Sequence, residues 1–276
     1  MTFKNLFLTA CTLFFTVCAG AQSIVSSEFS EAGSGLFTAS YTYKDYTDFW
    51  AGENRTDAPN GGLDQQIYGL YGYYAFTDGL EAVFNLPYIN NTSKDDSITF
   101  KGIQDISLFV KGKLYANDKI SLGAAIGTNL ATDYDPAALY SLGNGSTSVD
   151  GLLLIHHKMP AGLSLDAQAG YSIKTQEITP NAFIGQVKIG YDAKFLYAGV
   201  TYGIQRSTDE GIDIGSEQFT GPQSFPAARV NYDQLLLSVF VPVGEKLAAA
   251  VHYGTILDGR NIGNASFINL GLGLRL

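Results

Sequence analysis

The chain has 276 residues, of which 46% are hydrophobic and 16% charged, and carries a formal charge of −9. That acidity argues against a nucleic-acid partner, and the absence of any run of about 20 apolar residues excludes helical membrane spans. Its two cysteines, Cys11 and Cys18, stand close to the N-terminus, so no disulfide framework can hold the remainder together.

The first 21 residues read as an export signal. Lys4 supplies a positive start, Leu6 to Val17 an apolar run of 12 residues, and Ala19-Gly20-Ala21 a small-x-small cleavage site. Cleavage would leave Gln22 first, 255 residues, no cysteine and a charge of −10. Residues 22–276 contain no linker or low-complexity stretch and are expected to form one domain.

From there the dominant signal is a period of two. It is clearest from Lys101 to Ala131, where Gly102, Gln104, Ile106, Leu108 and Val110 alternate with Lys101, Ile103, Asp105, Ser107 and Phe109. A break at Ala116-Asn117-Asp118 then starts a second alternating arm, which makes a hairpin. Both arms exceed the roughly 5–6 residues of an ordinary soluble strand and suit the roughly 9–11 of a tilted transmembrane strand.

In chain order the pattern gives twelve strands, near 33–47, 63–76, 80–90, 100–115, 119–131, 147–159, 162–176, 183–193, 195–207, 229–242, 246–257 and 264–276. Short connections at Thr77–Gly79, Ala116–Asp118, Met159–Ala161, Asp192–Lys194 and Val243–Glu245 alternate with longer polar ones at 48–62, 91–99, 132–146, 177–182, 208–228 and 258–263. Together with 17 tyrosines, 17 phenylalanines and 31 glycines, this predicts an all-β fold. The expectation is an antiparallel transmembrane β-barrel of about 12 strands in the bacterial outer membrane, with short periplasmic turns and long extracellular loops.

The alternation also assigns faces. Leu163, Leu165, Tyr171 and Ile173 fall on the lipid side, as do Ile268, Leu270 and Leu272. The lumen-facing polar set is Glu81, Asn85, Lys101, Asp105, Lys111, Lys113, Asp150, His156, Lys158, Asp166, Gln168, Lys188 and Arg275. Apolar Phe109, Leu152, Leu154, Leu236 and Phe240 join them, so the interior is mixed. The strand at 63–76 is ambiguous because tyrosines stand on both faces.

Chemistry beyond a passage is weakly signalled. His156, His157 and His252 are the three histidines, and none has a serine two residues later, the pattern expected of a phospholipase-type barrel; a lipid hydrolase is the third reading, after a channel and a closed structural or adhesion barrel. The acidic pairs Asp95/Asp96, Asp133/Asp135 and Asp209/Glu210 with Asp213 lack calcium-loop spacing and read as solvated loops facing lipopolysaccharide. No metal or cofactor is implied. The expected partners are outer-membrane lipid and lipopolysaccharide, a small-molecule solute, and the barrel-assembly machinery during biogenesis.

The segment Tyr74-Ala75-Phe76-Thr77-Asp78-Gly79-Leu80-Glu81, followed by Leu86-Pro87-Tyr88, Gly102-Ile103-Gln104-Asp105-Ile106 and Lys111-Gly112-Lys113-Leu114-Tyr115, resembles the barrel family labelled "MetA-pathway of phenol degradation". Its members are transporter-like relatives of the long-chain fatty acid and toluene transporters. The resemblance covers about residues 60–135 and implies passive uptake of small hydrophobic or aromatic compounds. Two departures stand out: Gln22 to Ala32 is too short for the N-terminal hatch of the fatty acid transporters, and Leu276 replaces a terminal aromatic residue. The long loop 208–228, with Phe219, Pro222, Phe225 and Pro226, is expected to fold inward over the outer mouth.

Overall fold

A computed structural model describes residues 25–193 and 195–276; the expected export signal lies outside the described residues. Fourteen strand segments are seen there: β1 Gly35–Ala51, β2 Asn54–Asp57, β3 Leu63–Thr77, β4 Leu80–Ser93, β5 Thr99–Ile103, β6 Ile106–Ala116, β7 Ile120–Leu130, β8 Ser148–Lys158, β9 Leu163–Lys174, β10 Ala182–Ala193, β11 Leu196–Ser207, β12 Asn231–Val243, β13 Leu247–Arg260 and β14 Gly263–Arg275. Neighbours pair antiparallel in chain order, and β14 returns to β1 from Leu36↔Arg275 to Phe49↔Gly263. β5 and β6 share one stave against β4, and β2 is a spur paired with β1. The result is a closed barrel of twelve staves.

Closure follows from the solvent the outer face meets. In hydrocarbon an unpaired N–H or C=O has no water to turn to, so every strand edge must be paired. Outward side chains are apolar and exposed, as at Ile126 (64%) and Leu153 (63%), which suits contact with lipid tails. Tyr41 against Tyr68 (5.4 Å) near mid-stave and Tyr74 against Phe76 (5.2 Å) near the short turns place aromatic pairs on this face. The tyrosines of β3 divide: Tyr71 and Tyr73 are buried inside, while Tyr68 and Tyr74 face out.

Three features depart from the sequence expectation. First, Tyr88↔Ile103 and Asn85↔Ser107 enclose Leu86-Pro87 on β4 but Gln104-Asp105-Ile106 on the facing stave. That one extra residue is a bulge, and it reverses the faces on its far side. Lys101 therefore pairs with Asn90 and is exposed on the outside, not in the lumen; Ile103 follows it. Second, β13 runs on to Arg260, so the long connection expected at 258–263 is the two-residue turn Asn261-Ile262. Asn261 takes a left-handed φ of 53°, a conformation asparagine tolerates. Its side chain accepts from the N–H groups of Gly52 and Ile214 and donates to the carbonyls of Ile212 and Arg229.

Third, the stretch before β1, expected to be too short for a hatch, runs inside the barrel at the short-turn end, periplasmic in barrels of this type. Val25, Ser27, Glu28 and Ser30 are all buried. Val25 packs in one cluster with Leu36, Tyr71, Leu154, Tyr197 and Phe240, and Phe29 leans on it. The main apolar core thus lies within the lumen, around this segment.

Candidate functional site: a lumen in two compartments

The half of the lumen nearer the long loops holds a cavity of about 930 Å³. Its wall mixes apolar Leu63, Ile67, Phe109, Leu152 and Phe267 with polar Asn85, Asp105, Asp150, Lys174 and Gln186. Two aromatics lie flat because glycine faces them. A Cβ on Gly127 would stand 2.3 Å from Phe109, and one on Gly254 would stand 2.1 Å from Phe267. The rings therefore line the wall while space remains at the centre.

Loops cover this cavity. From 208–230 come Phe219, Pro222 and Phe225, with the two rings 5.5 Å apart. Asp213 pins the loop: Arg260 donates to it at 2.7 and 2.6 Å and Arg229 at 2.9 Å. The hydrogen bonds from Arg260 hold the Asp213 carboxyl well below the usual carboxylate range. Loop 131–147 also turns inward, which its sequence did not suggest. Asn91 donates to the Tyr140 carbonyl at 2.8 Å, Gln104 to the Leu142 carbonyl at 2.5 Å, and the Tyr134 hydroxyl to Asp105 at 2.6 Å. Burial, reinforced by that carboxylate, pushes the Tyr134 hydroxyl above its ordinary pKa. The bulge matters here, since it presents Gln104 and Asp105 together to the lumen.

The floor of the cavity is the N-terminal segment. Gln168 lines the cavity and donates to the Val25 carbonyl at 2.7 Å and to Ser27 Oγ at 3.0 Å. Below it the segment is gripped from two sides. Lys111 donates to the carbonyls of Ser26 (3.1 Å) and Glu28 and pairs with Glu81 at 3.0 Å, while Glu81 accepts from the Ser30 N–H at 2.5 Å. Opposite, β8, β9 and β10 bring His156, Asp166 and Lys188 into one cross-strand row. Asp166 faces His156 Nδ1 at 2.9 Å and Lys188 Nζ at 3.0 Å. Glu28 joins at 3.4 Å from the same imidazole nitrogen.

The polar residues read from the sequence thus separate by depth. Asn85, Asp105, Asp150 and Gln168 line the cavity. Glu81, Lys111, His156, Asp166 and Lys188 are buried around the N-terminal segment. Lys113, Lys158 and Arg275 sit at the short-turn rim: Lys113 donates to the Asp78 carbonyl, Lys158 is exposed, and the Arg275 guanidinium lies 5.6 Å from the Phe240 ring centre. Lys101 alone lies outside. Sequence reading missed Glu28, which lies ahead of the first alternating strand, where no periodicity assigns it a face. Ser238 Oγ and His252 Nδ1 hydrogen-bond at 2.8 Å across β12 and β13.

No family model matches the chain, and no curated protein matches it. Among solved structures it is similar to an outer membrane channel from Pseudomonas putida F1, with a TM-score of 0.72 at 15% identity, covering 91% of this chain and 98% of that one. It is also similar to the NanC porin, with a TM-score of 0.55 at 8% identity, covering 87% of this chain and all of the other. At these identities the likeness is one of fold: a closed antiparallel β-barrel like those of these outer-membrane proteins.

Proposed function

We propose that the chain is an outer-membrane channel for passive uptake of small hydrophobic or aromatic solutes, with residues 1–21 removed on export and residues 22–276 forming one domain. The observation that carries this reading is the loop-capped cavity, large enough for a small molecule and lined on one wall by flat aromatics and on others by amides and single charges. Such a lining suits an apolar body with few polar groups. The resemblance of residues 60–135 to the phenol-degradation barrels points to the same solute class. The reading is of a passage, not of an enzyme: His156 faces two carboxylates, and the His252–Ser238 pair lies outside the cavity lining.

A second reading is favoured by the N-terminal segment. Its buried grip on Lys111 and Gln168 suits a closed structural barrel, in which that segment is permanent filling. Permeation separates the two. Proteoliposomes with the refolded chain from Gln22 are compared for a small aromatic acid, an uncharged aromatic and a sugar of similar size. Faster passage of the aromatics supports uptake. No passage through a barrel shown to be folded by heat-modifiable gel mobility supports the structural reading.

A further inference from the structure

Around the N-terminal segment the charges do not balance. Among the described residues, the fully ionisable side chains buried there are Glu28, Glu81 and Asp166 against Lys111 and Lys188, each less than a tenth exposed. With a neutral His156 the group carries one negative charge too many, in a setting where an uncompensated charge is costly. Glu81 is matched by Lys111 and Asp166 by Lys188. The unmatched group is Glu28, neither of whose carboxylate oxygens has a hydrogen-bond partner. Its nearest cationic candidate is the imidazole of His156, 3.4 Å away and already 2.9 Å from Asp166.

We propose that Glu28, His156 and Asp166 form a binding site for one proton, and that this proton latches the N-terminal segment into the barrel. Placed on His156, it turns the ring into a cation set between the two carboxylates and brings the buried charge to zero. Without it, the Glu28 and Asp166 carboxylates share one neutral imidazole nitrogen, and like charges at this range repel. A divalent ion fits the count less well: it would overshoot to one positive charge and would share Asp166 with Lys188.

The other groups facing the site leave that count unchanged. Tyr71 and Tyr73 on β3 and Tyr197 on β11 are neutral, and Tyr197 lies under Lys188 at 5.8 Å. Lys158 on β8 attracts Glu28 from the exposed rim, where water screens it. Lys113 on β6 lies 5.3 Å from the Phe29 ring centre, at the same end.

The sign follows directly. The latched state binds the proton more tightly than the released state, so acid holds the segment in and alkali loosens it. The latch controls uptake only if the channel reading holds, and its test therefore needs a readout without any solute.

The direct probe is thiol labelling of Ser30→Cys in the refolded chain from Gln22, which has no other cysteine. Ser30 is 5% exposed, so labelling requires release of the segment. Rates are normalised to Asn117→Cys in an exposed turn, which removes the thiol's own pH dependence. The expected result is a rise of about tenfold between roughly pH 5.5 and 8.5, the change that one pKa unit of linkage produces. Adding Glu28→Gln restores neutrality without a proton and should give slow, pH-independent labelling. Adding His156→Gln should give fast labelling throughout. A flat profile in the parent, or a parent-like slope with Glu28→Gln, overturns the latch. So does a pH slope that vanishes in chelator and returns with zinc, which would make the site a metal site. pH-dependent labelling with no solute passage would remove the channel reading and leave the latch standing.

Discussion

The two halves of this barrel are built from the same staves and end in opposite states. Toward the long loops, the inward residues of β4, β6 and β9 enclose open space; toward the short turns, the next inward residues on the same strands close on a peptide. On β4 the step from Asn85 to Glu81 crosses that boundary, and on β9 the step from Gln168 to Asp166 does. A twelve-stave barrel is wider than side chains alone fill and narrower than an open porin. Whether such a lumen is passage or core is set by what is threaded through it. Here ten residues ahead of β1, from Val25 to Ser34, make that difference.

The comparison breaks most completely if the filling is removed. Deleting residues 25–32 should open the lower half, which side chains alone do not fill in a barrel of this width, and raise permeation more than any other change, with folded mobility on gels retained; liposome swelling reads it. A smaller effect, on stability, is expected of Lys111→Ala. It strands Glu81, 1% exposed, and should cost about 3–5 kcal/mol, measured by urea unfolding followed through gel mobility.

In the open half the effects should be gentler. Deleting 211–224 removes Phe219 and the Asp213 clamp and should raise uptake severalfold less than removal of the segment does, with stability nearly unchanged. Unchanged uptake would show that the loop does not restrict the mouth. Asp213→Asn is the smallest step and should increase proteolysis within 208–230 only. The clamp's pH dependence has a definite sign. Because the folded carboxyl titrates below its ordinary value, its contribution is present above that ordinary value, near about 3.9, and is lost as pH falls through the folded one. The loop should therefore resist protease unchanged from neutral pH down to mild acid.

How much of this was legible in the sequence differs between the halves too. Period-two alternation and the sorting of short turns against long connections carried the barrel, its closure and most faces, because lipid on one side penalises a misplaced charge by about 2–4 kcal/mol at midplane. Lys101 was misread because a bulge adds a residue without marking it; Gln104-Asp105 look like any alternating pair, and only the flanking pairs Tyr88↔Ile103 and Asn85↔Ser107, which set three residues against two, show the slip. The N-terminal segment was illegible for another reason. It is held largely by its backbone, through carbonyls at Val25, Ser26 and Glu28, and backbone acceptors are the same in every sequence. Lys111, Asp166 and Lys188 could be read as lumen residues, but what they held could not.

The most direct test of the account is a reversible lock. Ser27 Oγ and Gln168 Nε2 are 3.0 Å apart, and because cysteine is shorter than glutamine, a short reducible bis-thiol crosslinker should join Ser27→Cys to Gln168→Cys in the refolded chain from Gln22. The account predicts that the crosslinked barrel excludes small aromatic solutes and that reductive cleavage of the linker restores their passage. Equal passage in both states would contradict it.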